Sequence, residues 1–320
     1  IVAVVLAAGK GTRLKSDLPK VLHEVCGRPM LAYVFDACRA AGVQRLIGVV
    51  GHGRDAVMAA FSQHEPPITW VTQEPQLGTG HAVMVCREHL RTADAVIVIN
   101  GDGPLFRSET IRGLLERQAA NGAAATLATA ILDDPFGYGR ILRDGEGRIY
   151  DIAEEPDATP EQRQIREINP GLYCFRGPDL LAALDRLRPN NRKNEYYLTD
   201  TIGVLLRDGR PVDAVPSVLP EDMYGINSRR DLALVNGLMR DRILGRLMDE
   251  GVTIVDPATT WIDARATIGR DTVIHPCTVI NGAARIGANC RIGPFVHLDG
   301  GSVPDGATVT GTYGACGERP

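Results

Sequence analysis

Apolar positions along the chain change their spacing twice, and the changes divide it. From Ile1 to Val5 and again from Val43 to Val50 they run almost uninterrupted, short and β-branched, as strands buried on both faces do. Between these runs Met30, Leu31, Val34, Phe35, Cys38 and Ala41 share one face at helical spacing, and Gly42 ends that helix. GHGRDAVMAAF opens a second helix, Asp94 to Asn100 is a further apolar strand, and Ser108 caps a helix that stops at Asn121-Gly122. The alternation predicts an α/β fold, a mainly parallel, Rossmann-like sheet with helices on both faces. Ligands of such sheets sit at the carboxyl ends of the strands.

From Ala123 strands follow strands. ATLATAIL is one, GRILRDGEGRIYDIAEE turns back at Asp144-Gly145 as a hairpin, and Ile168 to Phe175 is read as a single strand. Short helices are expected near 179–187 and 197–207, with the polar and aromatic stretch NNRKNEYYLTD between them. This half reads as a lobe of hairpins and loops facing a substrate. Ser228 to Glu250 is a long helix with Leu232, Val235, Met239, Ile243 and Leu247 on one side.

After Gly251 the spacing becomes six. Ile262, Ile268, Ile274, Ile280, Ile286, Ile292 and Leu298 each follow a smaller residue two positions earlier, the signature of a hexapeptide β-helix. Pro304 is expected to break the series, and the tail GTYGACGERP reads as irregular. The organisation expected is therefore one large domain over 1–227, a connecting helix over 228–250, and a short β-helix with its tail over 251–320.

Composition narrows the function. A formal net charge of -4 with 23% charged residues gives no basic surface for nucleic acid. No apolar run approaches the roughly 18 to 20 residues of a membrane span. The first apolar residues lead straight into a glycine loop, so no signal peptide is expected, although a chain starting at Ile1 leaves a removed leader open. Seven cysteines without a C-x-x-C pair argue against a disulfide framework or a zinc site, and the compartment expected is the cytoplasm.

Three loops carry candidate chemistry. LAAGKGTRLKSDLPK, Leu6 to Lys20, leaves a buried strand with Gly9 and Gly11, which let backbone N–H groups come close to a phosphate. Lys10, Arg13, Lys15 and Lys20 bring positive charge to the same place. The spacing matches neither a P-loop nor a dinucleotide fingerprint. QEPQLGTGHA sets Gln73 and Gln76 beside Gly78 and Gly80, and an amide offers a base edge both a donor and an acceptor. Asp102, just past a buried strand, suits Mg²⁺, which prefers carboxylate oxygen. Each stretch alone also fits a plainer role: a charged turn, a helix N-terminus, a turn aspartate. His52 and His81 lack acidic or cysteine neighbours at metal spacing and read as hydrogen-bonded loop residues.

Taken together, LAAGKGTRLKSDLPKVLH, QLGTGHA, GDGPLF, DDPFGYGRI, the EINPG strand and EYYLTD resemble the bacterial N-acetylglucosamine-1-phosphate uridylyltransferase family in order and spacing, from Ile1 to about Leu298. The resemblance implies a nucleotidyltransferase (pyrophosphorylase) domain followed by a left-handed parallel β-helix that usually forms a homotrimer. It implies that the backbone of Leu6, Ala7, Ala8 and Gly9, with Gln73, Gln76, Gly78 and Thr79, holds the uridine of UTP. By the same resemblance Arg13 and Lys20 face the phosphates as catalytic residues, and Asp102 and Asn227 ligate Mg²⁺. Gly139, Glu154, Asn169 and Thr199 hold the amino sugar 1-phosphate. Taken as plain residues, Glu154 also fits a solvated strand end and Asn227 a cap for the long helix.

This sequence departs from the family in three places. Asn100 stands where an aromatic residue often precedes Gly-Asp, and Pro170 replaces a small polar residue in the Asn-x-Gly strand. Both bear on the sugar. The hexapeptide repeats span little more than two coils, so the resemblance implies uridylyl transfer without acetyl transfer. The alternatives are the same chemistry on another hexose 1-phosphate or nucleoside triphosphate, and a non-catalytic, oligomerising nucleotide-binding protein.

Overall fold

The computed structural model describes residues 1–313. It separates into two compact units, one of residues 1–22 and 30–227, the other of residues 23–29 and 228 onward.

The first unit is built on a ten-stranded sheet. Strand β1, Val2–Leu6, lies at its centre with β2, Arg45–Val50, on one side, followed by β3, Thr69–Thr72. On the other side runs β4, Ala95–Asn100, and all four strands are parallel. Helices α1, Met30–Ala40, α2, Arg54–Ala60, α3, Thr79–Met84, and α4, Arg87–Leu90, make the crossovers. Helix α5, Ser108–Asn121, ends at Gly122 in the left-handed conformation, which a residue without a Cβ adopts at least cost. Val2, Val4, Ile47, Val49, Val96 and Val98 are all but inaccessible and pack as one core, which is why these strands read as unbroken apolar runs.

Beyond β4 the sheet turns antiparallel, so it is mixed where the sequence suggested a mainly parallel one. Strand β5, Ala125–Ile131, is followed by the hairpin β6, Gly139–Arg143, and β7, Ile149–Ala153, then β8, Glu167–Asn169, and β9, Leu172–Arg176. The order across the sheet is β3-β2-β1-β4-β9-β5-β8-β6-β7. The stretch read as one strand from Ile168 to Phe175 is two. Pro170 has no N–H to donate and Gly171 sits at a φ of 86°. The chain breaks there and runs along opposite edges of β5. Helices α6, Gly177–Leu184, and α7, Asp200–Arg207, lie farther along, and β10, Val212–Pro216, returns parallel to β5.

The second unit takes a short hairpin from early in the chain, Glu24–Val25 paired with Arg28–Pro29. Helix α8, Arg229–Asp249, starts from a capping box in which the Ser228 side chain accepts from the Asp231 N–H and the Asp231 carboxylate accepts from the Ser228 N–H. Its Asn236 accepts a hydrogen bond from the Cys26 N–H, 2.9 Å, and the Ala264 N–H donates to the Cys26 carbonyl, 3.1 Å. At Gly27, φ 80°, a Cβ would lie 1.7 Å from an Asp263 oxygen. The hairpin is thereby clamped into this unit.

The remainder is a β-helix of parallel rungs in three sheets. Ile254, Ile274, Ile292 and Val309 stack in one, Ile262, Ile280 and Leu298 in the second, Ile268, Ile286 and Val303 in the third. The rungs continue past Pro304, where the sequence suggested an end. The spacing falls to five between Leu298 and Val303, which hides the repeat, yet Val303 still pairs beside Ile286. Residues 312–313 of the tail form a further rung against 297–298, and 314–320 lie outside the described residues.

Candidate active site

The first candidate cluster forms where β1 and β4 end. After Gly11 at a φ of 61°, Thr12–Leu14 makes one 3-10 turn that closes at Lys15, also left-handed. Leu14 points into the core and anchors this loop, leaving Arg13 exposed. A Cβ on Gly11 would lie 2.6 Å from the Lys20 Cβ, so this glycine lets the two arms of the loop meet.

From that position the Lys20 Nζ donates to the Asp102 carboxylate at 2.5 Å and to the Asn227 Oδ1 at 2.7 Å. The Arg13 guanidinium donates to the same Asn227 oxygen at 2.8 Å. Asn227 reaches the site because the Ile226 N–H donates to the Asp102 carbonyl, 2.9 Å. Farther back, Arg107 grips the buried Asp222 through two nitrogens. Four residues from three stretches of the chain are thus gathered around one point.

This cluster has the donor set of a cation site. A carboxylate and an amide oxygen converge on one positive charge, here an ammonium, and both are hard oxygen donors. Among the described residues no group of three or more His, Cys, Asp and Glu gathers for a metal. Two protein oxygens suit a divalent ion that completes its shell with phosphate oxygens and water, as magnesium does.

The second cluster lies on the β2 side. The Ala8 carbonyl accepts from the Gln76 Nε2 at 2.5 Å, so Gln76 is held against the first loop. Gly51 makes room for it, since a Cβ there would stand 2.5 Å from that nitrogen. Gln73 is buried, its Nε2 donating to the Gly78 carbonyl at 2.8 Å and lying 3.2 Å from the His81 Nδ1. Burial holds His81 below the usual imidazole pKa. Lys10, Gly51, His52, Gln73 and Gln76 border a cleft of about 830 Å³. Leu6 and Ala7 sit deeper: the Leu6 carbonyl accepts from Gly101 and the Ala7 N–H donates to Val49, both at 2.9 Å. Gly9 is exposed with open space where a Cβ would be.

A third cluster gathers Gly139, Glu154 and Thr199. The Thr199 hydroxyl donates to Glu154 at 3.0 Å, and a Cβ on Gly139 would come 3.5 Å from the other Glu154 oxygen. Glu154 directly follows β7 but is half-buried there rather than solvated. Burial raises its pKa, with the Thr199 hydrogen bond pulling the other way. Its hairpin is braced from behind by Arg140, only 1% exposed, whose ion pair with Glu155 spans 2.7 Å. Asn169 joins that trio, standing opposite Gly139 in the antiparallel pairing of β8 with β6. Its amide donates to the Tyr173 hydroxyl at 2.6 Å and its Oδ1 accepts from the Gly171 N–H at 3.1 Å. Asn100 abuts Gly171, where a Cβ would meet its amide nitrogen at 2.2 Å.

The second and third clusters are joined by a link that the sequence did not disclose. Gly78, at φ 104° and ψ 176°, runs so close to the 195–198 segment that a Cβ would stand 2.6 Å from the Tyr196 carbonyl oxygen. Gly80 donates to that oxygen at 2.7 Å, Tyr196 donates to Leu77 at 2.8 Å, and the Thr79 hydroxyl accepts from the Leu198 N–H at 3.0 Å. Only the placing of glycines at 78 and 80 hints at it. Asp200, next to Thr199, is pushed up to about 6 by burial first and then by Asp151, Glu154 and Asp157.

Comparison with known proteins bears on this arrangement. Residues 3–197 match the MobA-like NTP transferase domain, and residues 265–300 match the bacterial transferase hexapeptide, six repeats. The chain is 49% identical to the bifunctional protein GlmU of Geobacillus thermodenitrificans over 92% of its own length and 64% of that protein's. It is 42% identical to the bifunctional protein GlmU of Caldanaerobacter subterraneus, over 97% of this chain and 67% of that one. It therefore spans about two thirds of the length of these curated relatives. A crystal structure of UDP-glucose pyrophosphorylase complexed with UDP-glucose superposes with a TM-score of 0.62, covering 75% of this chain and 98% of that one. At 18% identity it speaks for the fold alone.

Proposed function

The chain belongs to the MobA-like NTP transferases and, within them, to the family of bifunctional GlmU proteins, and from that premise we propose that it transfers the uridylyl group of UTP to N-acetylglucosamine 1-phosphate. The products are UDP-N-acetylglucosamine and pyrophosphate. The observation that carries the reading is the convergence of Arg13 and Lys20 from one loop with Asp102 and Asn227 from two others on one point.

The reaction needs no protein nucleophile. An oxygen of the sugar phosphate attacks the α-phosphorus of UTP, one P–O bond forms, the bond to the β-phosphate breaks, and pyrophosphate carries off the electron pair. The protein's work is positioning and neutralising charge. In this reading Gln73, Gln76, Gly78 and Thr79, with the backbone of 6–9, hold the uridine, and Gln76 is already fixed on Ala8. Arg13 faces the leaving pyrophosphate, where a planar guanidinium binds two oxygens at once, and Lys20 faces the α-phosphate. Asp102 and Asn227 would hold Mg²⁺, which when bound supplies charge neutralisation across the phosphates. Gly139, Glu154, Asn169 and Thr199 are assigned the amino sugar, with Thr199 orienting the Glu154 carboxylate.

Assembly as a homotrimer through the β-helix belongs to the same proposal and is supported by the hexapeptide repeats. So does a cytoplasmic location, supported by six free cysteines among the described residues. No helix of the described residues is long and apolar enough to cross a membrane. The test is pyrophosphate release by the purified chain from UTP, Mg²⁺ and a panel of hexose 1-phosphates. Release with none of them refutes the reading, and a tenfold preference for another sugar or triphosphate refutes its substrate.

A further inference from the structure

We propose that the Lys20 ammonium is the counter-ion of the unloaded cation site, and that it vacates the site as a divalent cation enters, becoming available to a phosphate only then. The inference rests on the reading of Asp102 and Asn227 as cation donors. It adds that Lys20 and the cation exclude one another.

One Asp102 oxygen and the Asn227 oxygen are already engaged by one group, since Nζ lies 2.5 Å from Asp102 Oδ2 and 2.7 Å from Asn227 Oδ1. The Asn227 oxygen also accepts from Arg13, so its two lone pairs are both engaged. A divalent ion on the same two oxygens would stand within about 4 Å of an ammonium that stayed in place, where like charges repel strongly in a partly desolvated site. Arg13 touches only one of the two oxygens and has no such conflict at Asp102. The displaced group is therefore Lys20.

Its geometry permits the exchange. The Lys20 Cβ runs close beside Gly11, which has no Cβ to meet it, and the flexible stem beyond can swing the ammonium. The side chain is only 11% exposed, so a released ammonium is poorly hydrated and seeks another anion. A nucleotide phosphate supplies one. Cation and triphosphate binding are then coupled through Lys20, each making room or partnership for the other.

The experiment measures Mn²⁺ binding by electron paramagnetic resonance in the absence of nucleotide, on the whole chain and on Lys20→Met and Asp102→Asn. Methionine keeps the stem and deletes the charge. Mn²⁺ is expected to bind Lys20→Met about tenfold tighter than the parent, the size of one charge-assisted hydrogen bond removed from competition. Asp102→Asn is expected to abolish binding. If Asp102→Asn leaves Mn²⁺ binding intact, the cation-site reading itself falls, and this inference with it. If Asp102→Asn abolishes binding while Lys20→Met binds equally or more weakly, the exchange is refuted and the site assignment stands. A readout on the unaltered chain covers a Lys20→Met variant that fails to fold. Mn²⁺ should raise the acetylation rate of Lys20 by acetic anhydride relative to Lys10 and Lys15, followed by mass spectrometry. An unchanged or lowered rate overturns the proposal.

Discussion

Replacing Gly78 by alanine isolates the link between the glutamine loop and the 195–198 segment. The backbone there, φ 104° and ψ 176°, belongs to a region that only glycine occupies without strain. An L-residue in it costs about 1 to 3 kcal/mol. The added Cβ would also meet the Tyr196 carbonyl oxygen at 2.6 Å, the Glu195 Cβ at 2.9 Å and the Tyr196 nitrogen at 3.0 Å. Two of these are backbone atoms and cannot rotate away, so the segments must part. Parting them lengthens the bonds from Gly80, Tyr196 and Leu198, each contributing about 1 kcal/mol. We expect Gly78→Ala to lose about 3 kcal/mol, part of the strain being relieved as the bonds stretch. Urea denaturation should show this as a lower midpoint at unchanged slope. KM should rise for both substrates, because Thr79 and Thr199 sit on the two sides of the link. Gly9→Ala is the control. A Cβ there meets nothing within 4 Å, so stability should stay within about 0.5 kcal/mol while nucleotide binding weakens. A Gly78→Ala protein as stable as Gly9→Ala would refute the reasoning.

Three further outcomes are expected. Arg13→Lys keeps the charge but not the planar fork, and kcat in the pyrophosphate-release assay should fall about a hundredfold with little change in stability; an unchanged kcat would remove Arg13 from the phosphate site. Burial and the neighbouring carboxylates push Asp200 up to about 6 from the ordinary aspartate value of 3.8. The folded state therefore binds the proton more tightly, and its contribution to stability is fully present below about pH 4 and lost as pH rises through about 6. Asp200→Asn should abolish that slope and raise stability at pH 7, measured by urea melts from pH 4 to 8. In the β-helix, the Thr272 hydroxyl accepts from the Cys290 N–H at 3.1 Å and donates to the Gly287 carbonyl at 2.8 Å. Thr272→Val takes this partner from the buried Cys290 N–H and from the part-buried Gly287 carbonyl and should destabilise by about 2 kcal/mol in a thermal melt, and a melt within error of the parent would count against those bonds.

How far the fold could be read from the chain followed from how local its causes are. The parallel half was legible because strands buried on both faces leave a continuous apolar run, as Val2 to Leu6 and Ala95 to Asn100 do. The β-helix was legible because each side of its triangle repeats one aliphatic position. What escaped depended on non-local pairing. The division of Ile168 to Phe175 into two strands is set by β5 running between them, although Pro170-Gly171 marked the place. The rungs beyond Leu298 were hidden by a spacing of five, which the corner absorbs while pairing to the previous coil keeps Val303 in line. Nothing local to residues 23–29 announces that this hairpin belongs with residues 228 onward; Gly27 reveals it only once Asp263 is seen against it.

The site divides along the same line. Glycine positions and charge in the Leu6 to Lys20 loop pointed to phosphate, because a close backbone approach and a cation are requirements a sequence can display. The division of labour among the cations was not displayed. Lys10 borders the cleft beside Gln73 and Gln76, whereas Lys20 turns inward to Asp102 and Asn227. The difference is made by Gly11, whose missing Cβ lets the Lys20 stem cross the loop, and by Ile226, whose N–H draws Asn227 to Asp102. Neither residue carries any chemistry of its own. Side chains that do the chemistry are legible by type, but those that decide which cation meets which oxygen are small or apolar and act through backbone. The sharpest questions about this site therefore lie at Gly11, Gly51 and Gly78 as much as at the charged groups they position.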